Sequence, residues 1–325
     1  MPHAIRVEQQ GGPEVMRWTE VPLAEPAAGQ VRVKNTAIGV NFVDVYNRSG
    51  IYKPPHLPYT PGAEGAGVVD AVGSGVTSLK TGDRVVYQAG SSGSYAHYAT
   101  IAADRLVKIP EGISDKVAAG GFLKGVTCEY LLLRTFRVQK GHTVLFHAAA
   151  GGVGSIAGQW LKALGATSIG TVGSEDKAKL ARQNGYGHVI NYKTENFVDR
   201  VREITKGALC DVVYDSVGKD TFPGSLDCLH PLGMWVSFGQ SSGLVPPFPI
   251  NLLQQKGSLF ATRPTTAHYF AKPADLQEAA NNLFKVIKDG SVKIDVGREF
   301  PLKDAAEAHR AVEGRQTVAA TVLIP

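Results

Sequence analysis

The sequence is poor in cysteine and contains no long apolar run. Its three cysteines are Cys128, Cys210 and Cys228. Their number and wide spacing exclude a disulfide framework and a CxxC motif. No stretch reaches the roughly 18 apolar residues of a membrane span, and the N-terminus lacks the apolar core of a signal peptide. These absences predict a reduced, cytoplasmic protein.

The sequence also lacks any dense run of basic residues. The 34 Lys and Arg exceed the 29 Asp and Glu, which gives a net charge of +5. A positive charge suits an anionic partner, either nucleic acid or a phosphate-bearing ligand. Because the basic residues are scattered, nucleic acid is the less expected of the two, and a mild surface excess is the alternative explanation.

Length and texture predict two domains. At roughly 100–200 residues per domain, 325 residues suggest about two. Residues 4–107 contain short strands and glycine turns, as in the alternating segment 31–34, and few helix signals. The last zone is too short for a domain and is expected to rejoin the first. It is predicted to contain helices at 274–288 and 304–313 and strands near 292–296 and at 321–324.

The middle zone, residues 120–261, alternates strands with helices. Strands are predicted at 143–147, 168–172, 188–190, 211–214, 235–238 and 258–261. Helices are predicted at 152–164 and 175–184, followed by Gly165 and Gly185 as C-terminal caps. Six strands with helices or loops between them predict an α/β fold with a doubly wound parallel sheet.

A glycine-rich turn lies between the first of these strands and its helix. Residues 148–154 read AAAGGVG, a G-x-G-x-x-G pattern with Ala149 in the first position, Gly151 in the second and Gly154 in the third. Small residues there allow a tight turn, backbone approach to a pyrophosphate and packing of helix on strand. The helix N-terminus then offers N–H groups to phosphate. A dinucleotide site is favoured over a turn that serves packing alone.

The end of the second strand favours NADPH over NADH. An NAD site usually has an acidic residue there, whereas this chain has Gly173. Gly173 leaves room for a 2′-phosphate, which Ser174, Lys177 and Tyr192 would bind. Two alternatives stay open: Ser174 is also a natural helix N-cap, and Glu175 is near enough to bind a ribose.

Further motifs carry a resemblance to one family. They are PGAEGAGVV at 61–69, VGSGV at 72–76, GDRV at 82–85, LKGVT at 123–127, DSVG at 215–218, and the segment 39–52 around Asn41. Together with the glycine-rich turn they resemble the zinc-independent quinone oxidoreductases, the zeta-crystallin branch of the medium-chain dehydrogenase/reductases, and among these the bacterial members. The resemblance covers essentially the whole chain.

This resemblance implies a fold and an activity. A GroES-like, mostly-β catalytic domain would comprise residues 1–122 and 264–325, and a Rossmann domain residues 123–263. NADPH would reduce a quinone by hydride transfer in the cleft between the domains. Zinc-dependent relatives have Cys and His around the positions of Asn41 and Ala63 and a four-cysteine lobe, which this chain lacks. The remaining Glu64 cannot by itself make a zinc site.

The same resemblance assigns site residues. Asn41, Tyr46, Tyr52 and Arg263 would lie near nicotinamide and substrate, with the tyrosines contacting a flat acceptor and Arg263 polarising a carbonyl. Alternatively, Asn41 braces backbone, the tyrosines form a wall, and Arg263 forms an interface ion pair. The positions implied to contact the cofactor are Asn41, Thr127, Gly151, Gly152, Val153, Gly154, Gly173, Ser174, Lys177, Tyr192, Ser216, Phe238, Gly239, Ser241 and Arg315.

Without a metal, a quinone is a better acceptor than a ketone, because its reduced form delocalises the charge. Reduction of α,β-unsaturated carbonyls is a second candidate. An NADPH-binding protein with a structural or RNA-binding role is a third. The strand at 258–261 is expected at the sheet edge, where pairing with a second copy would give a homodimer.

Overall fold

The computed structural model describes residues 1–54, 56–89, 93–314 and 319–325. The chain forms two units. Unit 1 contains Met1–Lys124, Leu276–Phe284 and Ile294–Pro325, and unit 2 contains Gly125–Asp275 and Lys285–Lys293. No helix in the part of the chain that the structure describes has the length and apolar character to cross a membrane.

The helices and strands follow in chain order. The first stretch contains β1 (His3–Val7), β2 (Met16–Glu20), β3 (Gln30–Gly39), α1 (Phe42–Ser49), β4 (Glu64–Val72), β5 (Arg84–Gln88), β6 (Tyr98–Ala102), β7 (Leu106–Lys108) and α2 (Asp115–Glu129). The middle contains β8 (Thr143–Phe146), α3 (Gly152–Leu164), β9 (Thr167–Val172), α4 (Glu175–Gln183), β10 (His188–Asn191), α5 (Phe197–Ile204), β11 (Cys210–Asp215), α6 (Gly224–Asp227), β12 (Leu229–Ser237), α7 (Asn251–Gln255), β13 (Phe260–Thr262) and α8 (Thr266–Tyr269). The last stretch contains α9 (Pro273–Lys288), β14 (Val296–Pro301), α10 (Ala305–Glu313) and β15 (Ala320–Ile324).

Unit 1 is built around a mostly antiparallel sheet. Its strand order is β14-β15-β3-β4-β5-β7, β6 also pairs with β3, and β1 pairs with β2. Gly67 allows β3 and β4 to approach closely, because a Cβ there would lie 2.8 Å from the carbonyl carbon of Lys34. The side chains of Val31, Val33 and Val69 form part of an apolar core. The return of β15 to this sheet agrees with the expectation that the last zone rejoins the first.

Unit 2 contains the predicted doubly wound parallel sheet. Its order is β10-β9-β8-β11-β12-β13, and every pair is parallel. Leu145, Ile169, Val213 and Trp235 form part of its buried core. The order reverses between β8 and β11, and ligands of such sheets bind beyond the carboxyl ends of the strands at this switch point. The fold class predicted from the sequence is confirmed.

Two features differ from the sequence-based expectation. The strand expected near 292–296 is wrong: β14 begins at Val296, because that segment is the one that pairs with β15. Residues 264–275 and 285–293 lie in unit 2. Tyr269 stacks on Tyr130 at 4.6 Å, and Gln159 and Lys293 exchange two hydrogen bonds of 3.0 and 2.8 Å. These contacts hold the first segment against the π-helical segment Tyr130–Thr135 and the second against helix α3, both within unit 2.

Candidate functional site

The glycine-rich turn of unit 2 connects β8 to α3. Ala148 adopts a left-handed conformation, with φ 56°, and its carbonyl accepts the Gly151 N–H at 2.8 Å. Ala149 is buried and donates its N–H to the Thr171 carbonyl at 3.0 Å. The sharp turn expected at Ala149 is therefore made at Ala148, since alanine tolerates this strain when the neighbouring hydrogen bonds define the backbone.

The first turn of α3 is suited to an anion. Gly151 is its N-cap, no side chain caps the helix, and no acidic residue occurs in the first turn. A Cβ on Gly154 would overlap the Ala148 carbonyl oxygen and lie 2.8 Å from Cα of Ala149. The N–H groups at Gly152 and Val153 thus begin a helix with a partial positive charge and no acidic side chain to offset it.

The end of α2 packs beside this turn. The Cys128 thiol donates to the Val153 carbonyl at 3.2 Å. Thr127, the preceding residue, is 9 % exposed, and its hydroxyl is hydrogen-bonded to the Tyr130 side chain. The structure therefore brings Thr127 close to the predicted phosphate-binding turn.

The end of β9 brings Gly173 and Ser174 together with Tyr192, three of the residues of the predicted 2′-phosphate site. A Cβ on Gly173 would lie 2.9 Å from Cζ of Tyr192, so the tyrosine crosses directly over the glycine. Ser174 caps α4, its Oγ accepting the Lys177 N–H at 3.4 Å. Glu175 accepts a hydrogen bond from Arg182 at 3.0 Å. Ser174 therefore acts as the N-cap of α4, as the first alternative proposed. The Glu175 carboxylate, considered as a ribose ligand in the second alternative, pairs with Arg182.

Sequence reasoning missed Lys193 at this position. Its ammonium lies 5.9 Å from the ring centroid of Tyr192. The available signal in the sequence was that Lys193 directly follows Tyr192. A cation next to a predicted anion site adds to the positive potential there.

The loops after β11 and β12 are bound to each other. Ser241 donates its N–H to the Ser216 carbonyl at 3.1 Å, and Phe238 donates to the Asp215 carbonyl at 2.8 Å. A Cβ on Gly239 would lie 2.6 Å from the Ser216 oxygen, so only glycine permits this approach. Ser216, Phe238, Gly239 and Ser241 are thus brought together at the carboxyl edge of the sheet.

Asp215 anchors these loops from below. Its buried carboxylate accepts hydrogen bonds from Val217 and Gly218 N–H groups at 2.8 and 3.1 Å and from Thr221 and Ser225 hydroxyls at 2.8 and 2.9 Å. Burial alone would raise the pKa of Asp215, but His147 and these hydrogen bonds lower it overall. The carboxylate therefore stays ionised and fixes the turn that carries Ser216.

Arg263 follows β13 and is exposed. Its guanidinium donates to the carbonyls of Ser237 and Gly239 at 2.9 and 2.8 Å and to the side-chain oxygen of Gln240 at 3.2 Å. These partners are oxygens at the end of β12 and in the loop that follows it. The interface ion pair considered above stays a prediction.

In unit 1, α1 and the segment after it present three aromatic rings. Tyr46 lies 5.7 Å from Phe42 and 5.3 Å from Tyr52, both in edge-to-face geometry. Phe42 is 39 % exposed and Tyr52 is 37 % exposed. The predicted pair Tyr46 and Tyr52 is brought together, and Phe42 joins it as an apolar residue that sequence reasoning missed.

Asn41 is buried at the start of α1. Its side-chain amide donates to Glu64 Oε1 at 2.7 Å, and its backbone N–H donates to Asp44 at 2.8 Å. Glu64 also accepts the Lys124 ammonium at 3.2 Å and the backbone N–H of Leu123 at 2.6 Å. Both carboxylate oxygens of Glu64 are thus engaged, and its cluster contains an amide and an ammonium, which do not suit zinc. Among the described residues no group of three or more His, Cys, Asp or Glu could hold a metal.

A buried polar chain, unforeseen from the sequence, lies beneath α1. Arg48 donates to His309 Nδ1 at 3.3 Å, His309 Nε2 meets the Tyr95 hydroxyl at 3.0 Å, and this hydroxyl donates to Asp44 at 3.3 Å. Arg48 also pairs with Glu313 at 2.7 Å. Burial raises the pKa of Asp44 to about 7, and burial together with Arg48 lowers the pKa of His309 to about 3. Arg315, a predicted phosphate contact, lies outside the described residues.

Two family models match the chain. Residues 27–111 match the alcohol dehydrogenase GroES-like domain, and residues 152–284 match the zinc-binding dehydrogenase model. The first match lies in unit 1 and most of the second lies in unit 2.

Relatives cover the full chain. A quinone oxidoreductase of Pseudomonas aeruginosa is 50 % identical over 325 residues, with 100 % of each chain covered. A 2-haloacrylate reductase of a Burkholderia species is 45 % identical, covering 99 % of this chain and 98 % of its own. The crystal structure of Escherichia coli quinone oxidoreductase complexed with NADPH has a TM-score of 0.96 and 48 % identity, covering 99 % of this chain and 100 % of its own.

Proposed function

Because the chain belongs to the quinone oxidoreductase family of the medium-chain dehydrogenase/reductases, we propose that it reduces quinones with NADPH and without zinc. The observation that carries the proposal is the uncapped, acid-free N-terminus of α3, together with Gly173 after β9 at the position where an NAD site would have an acidic residue. Unit 2 holds the cofactor and unit 1 holds the quinone.

The residues of unit 2 fit a phosphorylated dinucleotide. Bound NADPH supplies the hydride. The first turn of α3 binds the pyrophosphate, and Ser174, Lys177 and Tyr192 bind the 2′-phosphate. The Ser174 hydroxyl keeps a proton to donate while its oxygen caps α4. The coupled loops at Ser216 and Gly239 bind the nicotinamide half.

The residues of unit 1 fit a flat, electron-poor ring. Phe42, Tyr46 and Tyr52 offer an apolar surface with phenolic hydroxyls, which suits contact with a quinone face. Asn41 has a second amide N–H beyond the one that it gives to Glu64, and in this proposal that N–H donates to a quinone oxygen. A reduced quinone spreads its charge over the ring, so an amide donor serves where a ketone would need a metal.

The test is NADPH oxidation followed at 340 nm with benzoquinones and naphthoquinones, compared with NADH. Turnover that depends on quinone, prefers NADPH and survives treatment with a zinc chelator supports the proposal. Loss of turnover on chelation contradicts the zinc-free mechanism, and tight NADPH binding without quinone turnover contradicts the reaction.

Reduction of an activated alkene is the second candidate. It is favoured by the 45 % identity to a 2-haloacrylate reductase. Hydride addition to such a substrate also leaves a delocalised anion, which the same residues would stabilise. A panel of enones and haloacrylates in the same assay separates the two reactions by their kcat/KM.

Replacing Lys177 by alanine is expected to weaken NADPH binding by about tenfold, which is the loss expected for one charge-assisted contact. NADH binding should weaken by much less. The physical reason is that only NADPH carries the 2′-phosphate. Fluorescence titration of both cofactors measures the difference, with the exposed Lys179 of the same helix replaced as a control. Equal losses for both cofactors would remove Lys177 from the phosphate site.

We also propose a homodimer formed through β13. This strand ends the order of the unit 2 sheet, and Phe260 on it is 57 % exposed. Nearby Leu232 is 65 % exposed. An apolar sheet edge is stabilised by pairing with a second copy. Light scattering at micromolar concentration should give twice the chain mass, and Phe260→Glu should lower it; a wild-type monomer would refute the dimer.

A further inference from the structure

We infer that Arg263 is a positioning residue that holds the loop after β12 in its cofactor-binding form and does not polarise the substrate. The inference rests on the proposed function, since this loop is the part of unit 2 assigned to the nicotinamide half. In this role Arg263 is the residue that keeps the loop for the nicotinamide half in place. The sequence pattern does not assign such a residue.

The register of the sheet brings Arg263 to the loop. β13 pairs in parallel with β12, with Val236 opposite Thr262. Arg263 therefore follows its strand where Ser237 ends the neighbouring one. From there one guanidinium nitrogen, Nη1, donates to both the Ser237 and Gly239 carbonyls, at 2.9 and 2.8 Å.

The loop is held from two sides, and Arg263 supplies one of them. On the other side its N–H groups donate to the preceding loop: Phe238 to the Asp215 carbonyl, Ser241 to that of Ser216 at 3.1 Å, and Ser242 to that of Val217 at 2.9 Å. Arg263 binds the carbonyls of Ser237 and Gly239. Without it, those carbonyls would lose their charged donor, and the chain around Gly239 would be free to turn.

The chemistry of the side chain agrees with a holding role. Both hydrogens of Nη1 are used by two backbone carbonyls, and Nη2 gives one to Gln240 at 3.2 Å. A planar guanidinium can serve three oxygens in fixed directions, whereas an ammonium cannot reproduce this fork. Lysine is therefore expected to fail here even though it keeps the charge.

Binding of NADPH and of 2′,5′-ADP, which share the adenosine half, distinguishes a role in holding the loop from a general role in the fold. 2′,5′-ADP has the adenosine and the 2′-phosphate but no nicotinamide, so it senses the site near Lys177 and not the loop. For Arg263→Ala and Arg263→Lys we expect NADPH to bind about tenfold more weakly while 2′,5′-ADP stays within about twofold of wild type. The exposed Arg202, paired with Asp199 on α5, gives a matched control in Arg202→Ala.

The opposite pattern would overturn the inference. If the Arg263 variants bind NADPH like wild type and lose only kcat with 1,4-benzoquinone, Arg263 acts on the substrate. If both ligands weaken equally, its role is general to the fold of unit 2. The binding comparison needs no turnover, so failure of the proposed reaction is seen separately, as wild-type protein that binds NADPH and reduces no quinone.

Discussion

Replacing Gly154 by alanine is expected to lower the stability of the ligand-free protein by about 1–3 kcal/mol and to weaken NADPH by more than about tenfold. A Cβ on Gly154 would overlap the Ala148 carbonyl oxygen and lie 2.8 Å from both Cα and the carbonyl oxygen of Ala149. These are backbone atoms, so the turn itself must move. The usual helical gain from glycine to alanine, about 1 kcal/mol, does not offset this.

Gly151→Ala is the matched control. Gly151 has φ −77° and ψ 172°, which alanine adopts without strain. A Cβ there would come no closer than 3.1 Å to the Ala148 oxygen. We expect this variant to lose less stability than Gly154→Ala while losing NADPH affinity, because its methyl group would occupy the space that we propose for the pyrophosphate. Thermal unfolding and NADPH titration separate the two glycines; equal stability of both variants would contradict the backbone contact at Gly154.

Helix α3 shows what the sequence predicts well. Both its ends, Gly152 and Leu164, match the prediction, and Gly165 adopts the left-handed cap with φ 73°. The signals are local, because a glycine-rich turn precedes the helix, apolar residues recur with helical period within it, and a glycine follows it. The same holds for the strand-ending residues Gly173 and Tyr192, whose proximity follows from neighbouring parallel strands.

Helix α2 shows what local signals cannot predict. It spans Asp115–Glu129 and contains Gly120 and Gly121, which disfavour a helix. A Cβ on Gly120 would lie 3.0 Å from that of Ala320, and one on Gly121 would overlap Ile294. The glycines serve packing against residues far along the chain, so tertiary contacts override the local propensity.

The hydrogen-bond partners of two buried carboxylates, Asp215 and Glu64, could not be predicted for the same reason. Asp215 and Glu64 both lie in motifs that were recognised, yet their partners are set by the fold. Glu64, in the segment 61–69, reaches Lys124, 60 residues away. Their acidic side chains beside apolar strands were the available signal, because a buried carboxylate must find hydrogen bonds or a cation.

The buried chain beneath α1 should make two substitutions respond to pH in opposite ways. The folded Asp44 holds its proton up to about pH 7, against 3.8 in the unfolded chain, mainly through burial. One of its oxygens has no hydrogen-bond partner among the described residues. Asp44 therefore contributes stability at low pH that is lost as the pH rises towards 7.

His309 works in the other direction. Its folded pKa is about 3, against 6.5 when unfolded, because it is buried beside Arg48. The unfolded chain takes up a proton below pH 6.5 that the folded chain refuses, so the His309 contribution is lost as the pH falls from 6.5 to 3. Between pH 4 and 6.5 the two slopes oppose each other in the wild type.

Each single substitution should remove one of the two contributions to the pH dependence of the free energy of unfolding. Relative to wild type, Asp44→Asn is expected to gain stability with rising pH between 4 and 6.5, by about 1.4 kcal/mol per pH unit, and His309→Gln to lose it at the same rate. The free energy of unfolding in urea, measured at several pH values, gives both differences. The double variant is the control, since removing both groups should leave a difference from wild type that hardly varies with pH. Parallel stability curves for wild type and both single variants would mean that neither Asp44 nor His309 is held in the protonation state assigned here.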